Sequence, residues 1–306
     1  MKKLSLFFLI ILLSSCSESA KKPIKPSGKL QILTSFSISA DWLKEIGGEH
    51  VDVTSLVGIE EDCHLFRAKP QDMKKIADAD LVYGLGAGFD KWLEKLHKSS
   101  GSTKKYTDLS KGLRLREVAV MHGDHSHGFV DPHLWHDISL VKKIVSKISE
   151  SLSKQDPLHK ADYERNLATY MAKLNALEKM IDLEVTKIPV EERKLVLSHD
   201  ALGYFSDRYH FTTVALIYDS LSTSGVEPSA GAIASLIKKI KKENVKIIFA
   251  EKLGSDKLSK QVAKEAKLPL ANELYTDALG KEGSGAETYL KLMEKNVKTI
   301  VNGMTP

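Results

Sequence analysis

Cysteine is almost missing from this 306-residue chain: Cys16 and Cys63 are the only two. That excludes a disulfide-stapled scaffold, so stability rests on a hydrophobic core. A large excess of charge of one sign is missing too. The formal net charge is only +5, two of it from Lys2 and Lys3 in a segment expected to be removed, which is too little to argue for a nucleic-acid partner. Lys238, Lys239, Lys241 and Lys242 fall within one helical stretch and read as a solvated face. There is no His-Glu-x-x-His helix of the kind that carries a catalytic zinc. With 42% hydrophobic and 28% charged residues, the chain has the composition of a soluble globular protein, long enough for two domains.

The N-terminus is specific. Met1-Lys2-Lys3 is a basic start, Leu4 to Leu13 an apolar run, and Leu13-Ser14-Ser15-Cys16 follows at once. The run is too short to cross a ~30 Å hydrocarbon core, so it reads as a cleaved export signal, residues 1–15, that resembles a bacterial lipoprotein signal peptide. Cys16 is then the lipidated first residue, and only Cys63 stays free. Residues 16–28, polar with Pro23, Pro26 and several lysines, read as a tether holding a soluble fold to the membrane through the lipid.

The stretch from Pro157 to Pro189 divides what remains. Tyr163, Leu167, Tyr170, Leu174, Leu177, Ile181 and Ile188 trace one apolar stripe along a helix, and no glycine interrupts it. A rod about 45 Å long outspans a small domain. It is expected to link an N-terminal lobe, 29–156, to a C-terminal lobe, 190–306. Both sides alternate short β-prone runs with helical patterns, which predicts an α/β fold of two small parallel-sheet lobes with the ligand in the cleft between them. Gly84-Leu85-Gly86-Ala87-Gly88 lacks the spacing and the acidic partner of a dinucleotide loop and reads as a tight strand-to-helix turn.

Eleven histidines need placing. His64, in Asp62-Cys63-His64, His133, in Asp131-Pro132-His133-Leu134-Trp135, and His199, after Leu195 to Ser198, all fall at strand ends or in loops. Three imidazoles from separate segments suggest a divalent cation with a carboxylate as fourth partner, for which Asp277 is the candidate.

Together with the lipobox, Tyr204-Phe205 and Glu227-Pro228-Ser229, these motifs stand in an order that resembles the metal-binding lipoproteins of zinc, manganese or iron ABC transporters. The resemblance runs from about Lys29 to the C-terminus. It implies two α/β lobes on one long rigid helix, a metal held by His64, His133, His199 and Asp277, an ABC permease with its cytoplasmic ATPase as partners, and an extracytoplasmic monomer. Cys63 stands where the family usually has proline and is read as a buried bystander. The histidine-rich loop of zinc members is short here. His122, His125 and His127, with Asp124, are an auxiliary metal loop or a plain flexible one. Asp131 or Asp200 is expected to accept a hydrogen bond from a ligating imidazole, and His136 to sit behind the site or on the surface.

Three imidazoles and one carboxylate favour Zn2+, with Mn2+ or Fe2+ as alternatives. A secreted metallohydrolase is the competing class, with Glu251 the only carboxylate that fits a base, and a surface adhesin is a third. The hydrolase is not favoured, because four protein ligands leave no open position for water, and no sequence feature argues for the adhesin.

Overall fold

The computed structural model describes residues 28–122, 125–217, 228–253 and 256–305, without the side chains of 119–129 and Ala215. The export signal, Cys16, most of the tether, Glu227 and Asp124, and the side chains of His122, His125 and His127, lie outside the described residues. No described helix is long and apolar enough to cross a membrane.

The first half opens as alternating strand and helix: β1 (Leu30–Thr34), α1 (Ser37–Gly47), β2 (Val51–Ser55), α2 (Pro70–Asp78), β3 (Leu81–Gly84), α3 (Lys91–Ser99) and β4 (Lys105–Asp108). The four strands form one parallel sheet in the order β2-β1-β3-β4. The glycine turn after β3 is a strand-to-helix turn: Gly86 and Gly88 both have φ +82°, and the backbone N–H groups of Leu85 and Gly86 donate to the buried carboxylate of Asp90. Those donors are therefore occupied from within the chain.

An antiparallel hairpin not anticipated from the sequence follows, β5 (Glu117–His122) and β6 (His125–Val130), with His122 opposite His125. Then come α4 (Ile138–Gln155) and the long helix α5 (Lys160–Val185). α5 is shorter than the expected 157–189. Pro157–His159 forms a separate 3-10 turn, and the helix stops before Ile188, whose place ahead of Pro189 disfavours helical backbone. The buried Arg193 guanidinium closes that end by donating to the carbonyls of Val185 and Ile188. At 26 residues, α5 is about 39 Å long. The expected stripe is its packed side: Tyr163, Tyr170, Leu174, Leu177 and Ile181 are buried, with Leu167 partly so.

After α5 the second half adds β7 (Lys194–Leu197), α6 (Gly203–Tyr209), β8 (Thr212–Leu216), α7 (Ala230–Lys242), β9 (Ile248–Glu251), α8 (Asp256–Ala266), β10 (Leu270–Leu274) and α9 (Tyr289–Met304). β7 pairs with β8 and β9 with β10, both in parallel. Helix α5 packs against α1 and α4 on the first side and α9 on the second. One hydrophobic cluster therefore runs from Ile32 in β1 through Trp135 and Leu174 to Met304, so the two halves share a continuous core along the rod.

Candidate metal centre

Four loops at strand ends meet between the halves. His64 follows β2, His133 follows β6, His199 follows β7 and Asp277 follows β10. One ligand atom from each lies within 4.8 Å of all the others. The Nε2 atoms of His64 and His133 are 3.4 Å apart. Asp277 Oδ1 lies 3.7 Å from His64 Nε2 and 3.5 Å from His133 Nε2, and Oδ2 lies 3.3 Å from His199 Nε2. The side chains of His133, His199 and Asp277 are fully buried, whereas that of His64 is 9% exposed. Solvent thus meets the cluster at His64.

Each imidazole behind the cluster is set by what its other nitrogen meets. Asp131 Oδ1 accepts from His133 Nδ1–H and from the His133 backbone N–H, both at 2.9 Å. Burial opposes the Asp131 charge, but His133 and Arg116 overcome it and hold the carboxyl below its ordinary range. For His199 the partner is Glu251, whose Oε2 lies 2.5 Å from Nδ1, while Oε1 accepts from the backbone N–H groups of Ser198 and His199. From sequence Glu251 is a possible base or a strand-end salt bridge, with no link to His199; the structure makes it the salt-bridge partner of that imidazole. Its signal was the end of β9, in the same half as the strand that carries His199.

Asp200, by contrast, does not support an imidazole. It faces Arg116 Nη1 at 3.4 Å, because the chain turns directly after His199 and sends the next side chain to the opposite side. Arg116 also donates to Asp131 at 2.9 Å and to Asp207 at 3.1 Å, tying the first half to the second. His136 is not at the surface. It is buried and donates Nε2–H to the Thr276 carbonyl at 2.9 Å, beside Trp135 Nε1–H on the same oxygen at 2.6 Å. Burial and the neighbouring His133 push His136 down to about 4, which keeps it neutral. Cys63 is buried, its sulfur 4.0 Å from the Asp277 carbonyl oxygen, and burial followed by Asp277 pushes the thiol well above its ordinary value. Cys63 is not among the residues whose ligand atoms converge.

The donor set fits a divalent cation on an observation independent of sequence. Asp277 Oδ1 is buried without any hydrogen-bond partner, and it belongs to the cluster. Such orphaned atoms are costly unless something else satisfies them. Burial lowers the affinity of His199 for a proton, yet Glu251 and Asp277 outweigh it and raise the imidazole well above its ordinary value. Burial would raise Asp277, but His199 and the other imidazoles draw it well below the usual carboxylate range. The two shifts favour an ion pair between His199 and Asp277, whose Nε2 and Oδ2 lie 3.3 Å apart.

An α/β fold with three imidazoles and one carboxylate converging between its halves defines a metal-binding protein. Residues 32–303 match the model of the family described as zinc-uptake complex component A, periplasmic. The chain is 33% identical, over the full length of both, to the manganese-binding lipoprotein MntA of Halalkalibacterium halodurans. It is 32% identical to the metal ABC transporter substrate-binding lipoprotein SsaB of Streptococcus sanguinis, with 99% of each chain covered. Among solved structures, the periplasmic zinc-binding protein TroA of Treponema pallidum superposes with a TM-score of 0.81 at 25% identity, over 91% of this chain and all of that one. A manganese-bound periplasmic protein of Candidatus Liberibacter asiaticus gives 0.78 at 26% identity, over 90% of this chain and all of that one. The chain belongs to the zinc-uptake complex component A family. It is an extracytoplasmic metal-binding component of an ABC transporter, and not an enzyme.

Proposed function

We propose that this chain captures zinc through His64, His133, His199 and Asp277 and hands it to an ABC permease driven by a cytoplasmic ATPase. The observation that carries the reading is the convergence of three imidazole nitrogens with a carboxylate oxygen that has no other partner. Imidazole suits zinc, and zinc binds a given nitrogen and oxygen site more tightly than manganese or iron. Glu251, the one carboxylate suited to act as a base, is engaged with His199 and two backbone N–H groups, in keeping with binding rather than hydrolysis.

In this reading residues 29–156 and 190–306 act as lobes on either side of α5, each contributing two ligands, and lipid on Cys16 keeps the monomer near its permease. The relatives named as lipoproteins support the anchor. The metal enters past His64, displaces the proton shared by His199 and Asp277, and alters the surface that the permease reads.

A second reading, manganese as the cargo, is supported by full-length relatives named as manganese-binding. Uptake of labelled zinc and manganese by cells lacking the gene, with and without its return, separates the two. Zinc uptake at low external concentration that depends on the gene is expected. Dependence of manganese uptake alone would transfer the function to manganese.

A further inference from the structure

The residue before the candidate carboxylate ligand is bound at both its polar groups. The Thr276 carbonyl accepts two hydrogen bonds from the first half, from Trp135 and His136. Both of its lone pairs are used, so the peptide leading into Asp277 is fixed against the turn that carries His133. The Thr276 hydroxyl, 1% exposed with the rest of its residue, lies 2.8 Å from Asp277 Oδ2 and 3.2 Å from Glu251 Oε2.

A hydroxyl has one proton to give. Glu251 does not need it: its Oε1 accepts two backbone N–H groups and its Oε2 faces His199 Nδ1. The shorter contact and the greater need both direct the proton to Asp277 Oδ2. Oδ1 then remains the unpartnered oxygen, facing His64 and His133, while Oδ2, which also lies 3.3 Å from His199 Nε2, is the oxygen that Thr276 occupies.

We propose that Thr276 is a specificity-determining positioning residue: by holding Oδ2, it presents Asp277 to the metal through Oδ1 alone. Resting on the metal-site reading above, this deepens it. One oxygen and three nitrogens make the four-donor shell that zinc accepts, whereas manganese favours more oxygen donors and a larger shell. Releasing Oδ2 adds a second carboxylate oxygen and moves the preference towards manganese.

The test uses the full-length protein in detergent, stripped of metal, with Thr276→Val and Thr276→Ser variants. Valine keeps the branched shape and the backbone carbonyl while removing the hydroxyl, and serine keeps the hydroxyl. Competition titrations with zinc and manganese are expected to show the manganese-to-zinc Kd ratio falling about tenfold in Thr276→Val and unchanged in Thr276→Ser, on the order of 1.4 kcal/mol of relative preference. Equal weakening of both metals, an unchanged ratio in the valine variant, or the same shift in both variants would overturn the proposal. X-ray absorption on the zinc-loaded wild type gives a readout that does not depend on the variants folding. One carboxylate oxygen in the zinc shell is expected, and two would overturn the assignment. A wild type that retains neither metal would overturn the reading of the site itself, an outcome distinct from an unchanged ratio.

Discussion

Glu251 Oε2 lies 2.5 Å from His199 Nδ1, and both side chains are fully buried. The contact fixes which imidazole nitrogen turns to the cluster. Removing the carboxylate charge while keeping the shape, as in Glu251→Gln, is expected to weaken metal binding about 10- to 100-fold, the range seen when a residue behind a metal-bound histidine is changed. Titration against a competing chelator measures it, and unaltered affinity would mean that His199 is oriented by something else.

Metal binding is expected to release a proton. His199 is held well above its ordinary 6.5 in the metal-free chain, so it carries a proton through neutral pH that the cation must displace. Apparent affinity then falls as pH falls, by about tenfold per unit while one proton is displaced. The same raised value stabilises the metal-free fold below the ordinary imidazole range, and that contribution is lost as pH rises through the raised one. Calorimetry in buffers of different ionisation enthalpy counts the proton, and a count of zero at neutral pH would contradict the ion-paired cluster.

Arg116 Nη1 sits on Asp131 and Asp200, and a methyl group built on Gly203 would run into both the guanidinium and the Asp131 carboxylate. Arg116→Ala is expected to cost about 1.5–3 kcal/mol by leaving Asp131 without its cation. Gly203→Ala reaches the same defect from the other side, so the double variant is expected to cost less than the two single changes added together. Urea unfolding of the four proteins measures this, and simple additivity would mean that Gly203 and Arg116 act separately.

Asp41 on α1 accepts the backbone N–H of Tyr289 at the start of α9, and burial pushes it up to about 6. A carboxyl raised above its unfolded 3.8 stabilises the fold when protonated, and that advantage is lost as pH rises towards 6. Asp41→Asn keeps the acceptor without the charge. It is expected to raise stability at pH above 6, by up to about 3 kcal/mol, with the gain shrinking as pH falls towards 4. A gain independent of pH would show that Asp41 is not the titrating group.

Much of this arrangement was legible in the residues, for identifiable reasons. The stripe from Tyr163 to Ile181 repeats at helical spacing, so α5 was visible, but its end was not, because Arg193 caps it from outside the helical pattern. Helix α4 buries Ile144, Ile148 and Leu152 and stops just ahead of Pro157, so that proline closes α4 as well as opening the turn before α5. The four cluster residues carry rare chemistry at strand ends. Their supports were harder: Asp131 stands two residues from His133 and could be guessed, whereas Glu251 is 52 residues from His199 and reaches it only through the fold. Asp200, next in sequence to His199, was the natural local choice, and the turn after β7 points it at Arg116 instead. The link from Trp135 and His136 to Thr276 spans about 140 residues and leaves no pattern in the chain.

The most direct measurement is a crystal structure of the zinc-loaded protein with anomalous data at the zinc edge. The account predicts one strong peak per chain within about 2.3 Å of Nε2 of His64, His133 and His199 and of an Asp277 carboxylate oxygen. A peak elsewhere, or one that leaves any of these four residues unbound, would contradict the assignment of the site.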